Sequence, residues 1–178
     1  MNIQRIALIS SLCGLFIVPA AMAADGQIDF IGVIKGNTCE IRGGSPDFTV
    51  QLPPVILSAL SAPGQGAGRT PFDIQLTNCV PDTGRVMTYF EPGPTVNPLT
   101  GRLKTVTGTD QATEVEVGLR NANHEAMDVS KGMDEQNSQV VDIVGGNARL
   151  DYFAEYVATG TVTPGEVRTH ILYSIVHP

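Results

Sequence analysis

His124, His170 and His177 are the only histidines in the chain, and no two stand at the H-x-x-x-H or H-E-x-x-H spacing that offers a pair of imidazoles to one metal. Cys13, Cys39 and Cys79 include no C-x-x-C pair, so neither a thiolate metal site nor a dithiol redox centre is encoded. Glu114 and Glu116 lie two apart beside Val115, Val117 and Leu119. In a strand whose apolar residues point inward, the two glutamates point outward, and solvated carboxylates are the expected reading rather than an acid/base pair. Gly64-Gln65-Gly66-Ala67-Gly68 has the composition of a phosphate loop but lacks the Gly-Lys-Ser/Thr ending and a following helix. No serine sits in a G-x-S-x-G elbow, and tryptophan, a common sugar-stacking platform, is absent. The reading is a protein that is not an enzyme, with no catalytic residues, no metal and no cofactor.

The elements that carry these residues are strands. Helix signals are nearly absent beyond residue 23, while short β-branched runs punctuated by Gly, Pro, Asn and Asp recur. The pattern predicts strands over Val33–Ile41, Phe48–Leu52, Pro71–Leu76, Arg85–Phe90, Glu114–Arg120, Gln139–Val144, Arg149–Ala158 and Val167–Val176. Turn clusters separate them at 42–46, 63–68 and 91–94, and the polar stretch Met127–Ser138 reads as a solvated loop. Alternation assigns Phe72, Ile74 and Leu76, and Val115, Val117 and Leu119, to the core of a two-sheet sandwich. In the last strand Ile171, Tyr173 and Ile175 share one face, yet Leu172 and Val176 make the other face apolar as well.

The start of the chain is an export signal. Arg5 supplies a positive n-region, Ile6–Val18 an apolar h-region and Ala21-Met22-Ala23 a small-x-small cleavage site, which assigns residues 1–23 to a signal peptide. The apolar run is shorter than the ~20 residues of a membrane span. Leu12 before Cys13 is too bulky for a lipoprotein signal. Removing 23 residues from 178 leaves 155, enough for one domain with one core. Two lone cysteines, Cys39 and Cys79, then share an oxidising compartment and read as one structural disulfide. A net charge of −7 with scattered basic residues argues against nucleic acid and anionic membranes.

Between the signal and Cys39 lies a strand without a partner of its own. In Gly26–Lys35, residues Ile28, Phe30, Gly32 and Ile34 fall on one face, and the glycine permits close backbone approach. A long apolar strand at a terminus is either tied into the core or used for controlled assembly.

Four blocks, GQIDFIGVIKGNTCEI, TPFDIQLTNC, YFAEYVATGTVTPGEV and THILYSIVHP, resemble those of pilin subunits of chaperone-usher, type 1-like fimbriae, in the same order from end to end. TVQLPPVILSAL, AGRTPFDIQLTNC and YFEPGPT are similar more narrowly to the serotype fimbrial subunits of Bordetella. The resemblance implies an incomplete immunoglobulin-like sandwich lacking its last strand, with residues 24–35 as an N-terminal donor-strand extension and 36–178 as the pilin domain. It implies Ile28, Phe30, Gly32 and Ile34 as donor residues and Cys39–Cys79 as the family disulfide. Ile171, Tyr173, Ile175 and His177 would belong to the strand that borders the acceptor groove and binds the chaperone. Which face of that strand meets the groove stays open. The implied partners are neighbouring pilin subunits in a head-to-tail polymer, a periplasmic chaperone and an outer-membrane usher, and the implied location is the surface fimbrium. The alternative is a minor or tip-proximal pilin that itself binds a host-cell receptor. One departure stands out: the family's tyrosine second from the C-terminus is His177 here, followed by Pro178.

Overall fold

A computed structural model describes Phe30, Gly36 and residues 38–178. The chain divides into two units, Met1–Lys35 and Gly36–Pro178, and the second carries the folded domain.

Among the described residues, eight strands form two antiparallel sheets. They are β1 (Thr38–Ile41), β2 (Gly66–Val80), β3 (Gly84–Glu91), β4 (Leu103–Lys104), β5 (Val115–Asn121), β6 (Val141–Ile143), β7 (Ala148–Ala158) and β8 (Leu172–Val176). The larger sheet runs β1-β2-β7-β5-β4 and the smaller β6-β3-β8. The long β2–β7 pair is the spine: Phe72, Ile74 and Leu76 stand opposite Tyr152, Leu150 and Ala148, so two apolar faces of matching period coincide. Ile74, Leu150 and Tyr152 are fully buried, and Val117 and Leu119 of β5 join them in one core with Val86 and Phe90 of β3.

The all-β sandwich expected from the strand pattern is present, with corrections. Phe48–Leu52 is not a strand, because no neighbouring strand among the described residues offers it a hydrogen-bonded ladder. Gly66–Gly68, expected in a turn, opens β2; the register slips between Ala67 and Thr70, a bulge that Gly68 at φ +68° makes easy. β4 is two residues long, too short for periodicity to announce it. The last strand begins at Leu172 rather than at Val167.

Met127–Ser138 is only in part the solvated loop expected: Lys131–Glu135 and Asn137 are exposed. Met127, Val129 and Gln136 are buried, and Gln136 acts as a one-residue strand partner for β3. Its Oε1 accepts from the Phe90 N–H at 3.0 Å, and its Nε2 donates to the Phe90 carbonyl at 2.6 Å. β6 pairs with β3 only as far as Val86, so the glutamine satisfies backbone that would otherwise be buried unpaired. A polar residue buried for hydrogen bonding looks like loop in a sequence.

Glu116 is likewise buried rather than solvated. It accepts from Asn97 Nδ2 at 2.6 Å and Thr100 Oγ1 at 2.9 Å, because residues 95–102 fold over the outer face of the sheet. Glu155, also buried on that face, accepts from Arg69 Nε at 2.8 Å and Arg120 Nε at 2.6 Å. Glu114 is exposed.

Candidate functional site

Among the described residues the smaller sheet ends at β8. β8 pairs with β3 along one edge, Leu172 opposite Glu91 through Val176 opposite Met87, and among the described residues no strand pairs with its other edge. Beside that edge runs a groove of about 1140 Å³. Its floor is the sandwich core itself, with Phe72 and Ile74 of β2, Phe90 of β3 and Val117 of β5 reaching into it. Its two margins are chain segments 46–57 and 162–173.

The margins are built differently. The 162–173 segment crosses from the larger sheet to the smaller and is laced to the chain beside β4. Val106 N–H donates to the Arg168 carbonyl (2.9 Å), Ala112 N–H to Glu166 (2.9 Å), and Glu166 N–H to Asp110 (2.8 Å). Thr169 Oγ1 adds a bond to the Lys104 carbonyl at 2.8 Å. Gly165 allows this approach, since a Cβ there would collide with Ala112 N and the Gln111 carbonyl.

The opposite margin has almost none of this. Phe48, Val50 and Leu52 are half-buried and alternate with exposed Asp47, Thr49 and Gln51, a strand's side-chain pattern. Yet among the described residues, one hydrogen bond involves residues 45–55: Tyr173 Oη donates to the Pro46 carbonyl at 2.7 Å. Apolar contacts hold the rest, with the Phe48 ring 6.2 Å from Phe72 and 6.3 Å from Tyr173, edge-on, and the Arg42 guanidinium 4.5 Å above it.

Ile171, Tyr173 and Ile175 are half-buried against the core, and Ile171 and Tyr173 line the groove. Leu172, on the other face, is 70% exposed, so the doubly apolar pattern does not reflect a strand covered on both sides here. His177 is half-buried just beyond the end of β8. Burial raises the Tyr173 phenol above its ordinary value, with Asp47 adding to the rise and Arg42 opposing it. Cys39 and Cys79 form a disulfide joining β1 to β2. Of the four N-terminal residues, Phe30 is exposed, whereas Ile28, Gly32 and Ile34 lie outside the described residues. The sequence pattern did not point to the Pro46–Leu57 margin as part of a site. Its signal was the Phe48, Val50, Leu52 alternation bracketed by Pro46, Pro53 and Pro54.

Among the described residues, the remaining titratable groups do not gather into a reactive set. His124 stacks on Phe153 at 4.3 Å on the outer face, and His170 lines the groove with its carbonyl taken by Thr95 Oγ1. Each buried carboxylate is consumed by its own hydrogen bonds.

Comparison with known proteins agrees with this architecture. The family described as FimA, type-1 fimbrial protein A, matches residues 52–178. The major fimbrial subunit SMF-1 of Stenotrophomonas maltophilia is 43% identical, with 89% of this chain and 95% of that protein covered. The serotype 2 fimbrial subunit of Bordetella pertussis is 35% identical over 91% of each chain. The F17 fimbrial protein of Escherichia coli is 34% identical over 98% of this chain and 99% of its own. Among solved structures, the P pilus rod subunit PapA shares the fold with a TM-score of 0.60 at 22% identity, covering 79% of this chain and 99% of PapA. A subunit of a chaperone-usher pilus does so with 0.59 at 20% identity, covering 90% of this chain and all of that one. A sandwich missing one strand, with full-length similarity to fimbrial subunits, places this chain in the type-1 fimbrial protein family, as a structural subunit of a surface fimbria.

Proposed function

We propose that the groove is an acceptor for the N-terminal extension of a neighbouring copy, and that repetition of this contact builds the fimbria. The observation that carries the reading is a pair of backbones without a ladder partner among the described residues, the outer edge of β8 and the 46–52 margin, flanking a groove floored by the domain's own core. An extended chain laid between them has hydrogen-bonding partners on both sides and apolar surface beneath. Residues 24–35 of the next subunit have the matching chemistry, with Ile28, Phe30 and Ile34 directed down and Gly32 permitting close approach. Burying three large apolar side chains contributes roughly 1.5–3 kcal/mol each. The contact is heterologous and does not close, so it propagates as a filament.

A chain with this groove exposed would associate wrongly, so a periplasmic chaperone fills it first and an outer-membrane usher oversees the exchange. The test combines two arms. A peptide of residues 24–35, mixed with chaperone-bound subunit, should displace the chaperone. The subunit lacking residues 24–35 should still bind chaperone and accept the peptide, while adding no further subunit. A peptide that displaces nothing, together with fibres from the truncated subunit, would return the N-terminal strand to its own domain.

A further inference from the structure

We propose that Tyr173 is a positioning residue that holds the acceptor groove open at one strand's width. This role rests on the donor-strand reading of the groove and deepens it.

The margin formed by residues 45–55 must stand far enough from β8 to admit a strand, a separation of about 9.6 Å, or twice the usual interstrand spacing of about 4.8 Å. It has no ladder to fix that distance. Its sole hydrogen bond among the described residues is the one from Tyr173 Oη to the Pro46 carbonyl. Tyr173 belongs to β8, packs against the core and lines the groove, and its phenol reaches the Pro46 carbonyl of the opposite margin. A tyrosine is long enough to span such a gap, and its rigid ring keeps a fixed length. Phe48 braces the ring edge-on at 6.3 Å.

The bond is also compatible with an occupied groove. Proline offers no N–H, and its carbonyl has two lone pairs, so Pro46 can accept from the phenol and from an incoming strand together. Burial favours the protonated phenol, the form that donates. The tie therefore sets the spacing of a margin otherwise held by apolar contacts before a donor arrives and persists after it has docked.

The experiment uses full-length subunit in its chaperone complex and the peptide of residues 24–35, following the rate at which peptide replaces chaperone. Tyr173→Phe keeps the ring and removes only the hydroxyl. It should slow peptide capture by roughly 2- to 10-fold, the range expected for one neutral hydrogen bond. Tyr152→Phe is the control for stability alone: it removes a buried phenol bonded to Ser138 at 3.0 Å and should lower the melting temperature while leaving the capture rate as in wild type. Faster capture by Tyr173→Phe would identify the phenol as a bar across the groove and overturn the proposal, as would an unchanged rate, or equal slowing by both variants. If wild-type subunit captures no peptide, the donor-strand reading itself falls. Capture by wild type with no Tyr173 effect removes only the strut.

Discussion

The two margins of the groove come from one chain and face the same space, yet one is part of the fold and the other is only leaned against it. Residues 162–171 are laced to the chain beside β4 by backbone bonds and fitted by Gly165. Residues 45–55 have strand-like side-chain alternation and, among the described residues, a single hydrogen bond. Among the described residues the second margin has no ladder partner, and exposed Asp47, Thr49 and Gln51 place it at the surface. A sheet edge left in this condition is complete only when another strand arrives. The fixed margin leads into β8 through a laced backbone, whereas the loose one is tied to β8 by the Tyr173 hydrogen bond to Pro46.

The contrast can be broken most severely at its origin. The Cys39–Cys79 disulfide anchors β1 to β2 immediately before the loose margin begins. Replacing both cysteines with serine should cost roughly 3–4 kcal/mol by the loop-entropy relation for a closure of about 40 residues. The readouts are urea unfolding of the peptide-complemented subunit and the subunit's periplasmic level. Two free thiols in the intact mass of the exported wild-type protein would remove the premise.

Proline placed in each margin sharpens the comparison directly. Glu166→Pro deletes the N–H that bonds the Asp110 carbonyl and should destabilise the subunit by about 2–3 kcal/mol, with or without a donor. Val50→Pro and Gln51→Pro delete N–H groups that make no bond among the described residues, so the uncomplemented form should lose little. Neighbouring N–H groups in an extended chain point to opposite edges. One of the two variants should therefore weaken the donor-complemented form by about 1 kcal/mol while the other leaves it unchanged. Equal effects of both on complemented and uncomplemented subunit would show that the loose margin is already part of the fold.

Much of this architecture was legible in the sequence, and the misreadings share a cause. Phe72-Ile74-Leu76 and Val115-Val117-Leu119 alternate cleanly because each packs one face on the core, and all but Phe72 are buried. Phe48–Leu52 alternates as clearly, but alternation reports which side chains turn inward and is silent on whether the backbone has a partner. Met127–Ser138 and Glu116 erred the opposite way. Polarity there signals internal hydrogen bonding, by Gln136 to Phe90 and by Asn97 and Thr100 to Glu116, and no local pattern separates a satisfied buried polar group from a solvated one.

Glu116 supplies the next test. A solvated carboxylate on a strand's outer face could be replaced within about 0.5 kcal/mol. The buried one here holds residues 95–102 against the sheet, so Glu116→Ala should cost about 1–3 kcal/mol by leaving Asn97 and Thr100 without an acceptor. Glu114→Ala, two residues away and exposed, is the internal comparison and should be near neutral. Equal small losses from both would restore the solvated reading.

The smallest effect is absent at neutral pH and separates the two ends of the aromatic network. Burial raises the phenols of Tyr152 and Tyr173 above their ordinary value of 10.0. In the unfolded chain both ionise near that value, while in the folded subunit they keep their protons to higher pH. Above pH 10 the folded state therefore binds more protons than the unfolded one, and stability must fall as pH rises through the window between the unfolded and folded values. Below that window the tyrosines contribute no pH dependence. Tyr173→Phe and Tyr152→Phe should each flatten the alkaline limb of the stability curve. The two phenols differ in the consequence of ionisation: loss of the Tyr173 proton also removes the donor to Pro46, so peptide capture by wild type should slow over the alkaline window. Capture by Tyr173→Phe, already slow, should show no further loss from this source. An alkaline slowing of the same size in both proteins would place the titrating group elsewhere and leave the loose margin independent of Tyr173.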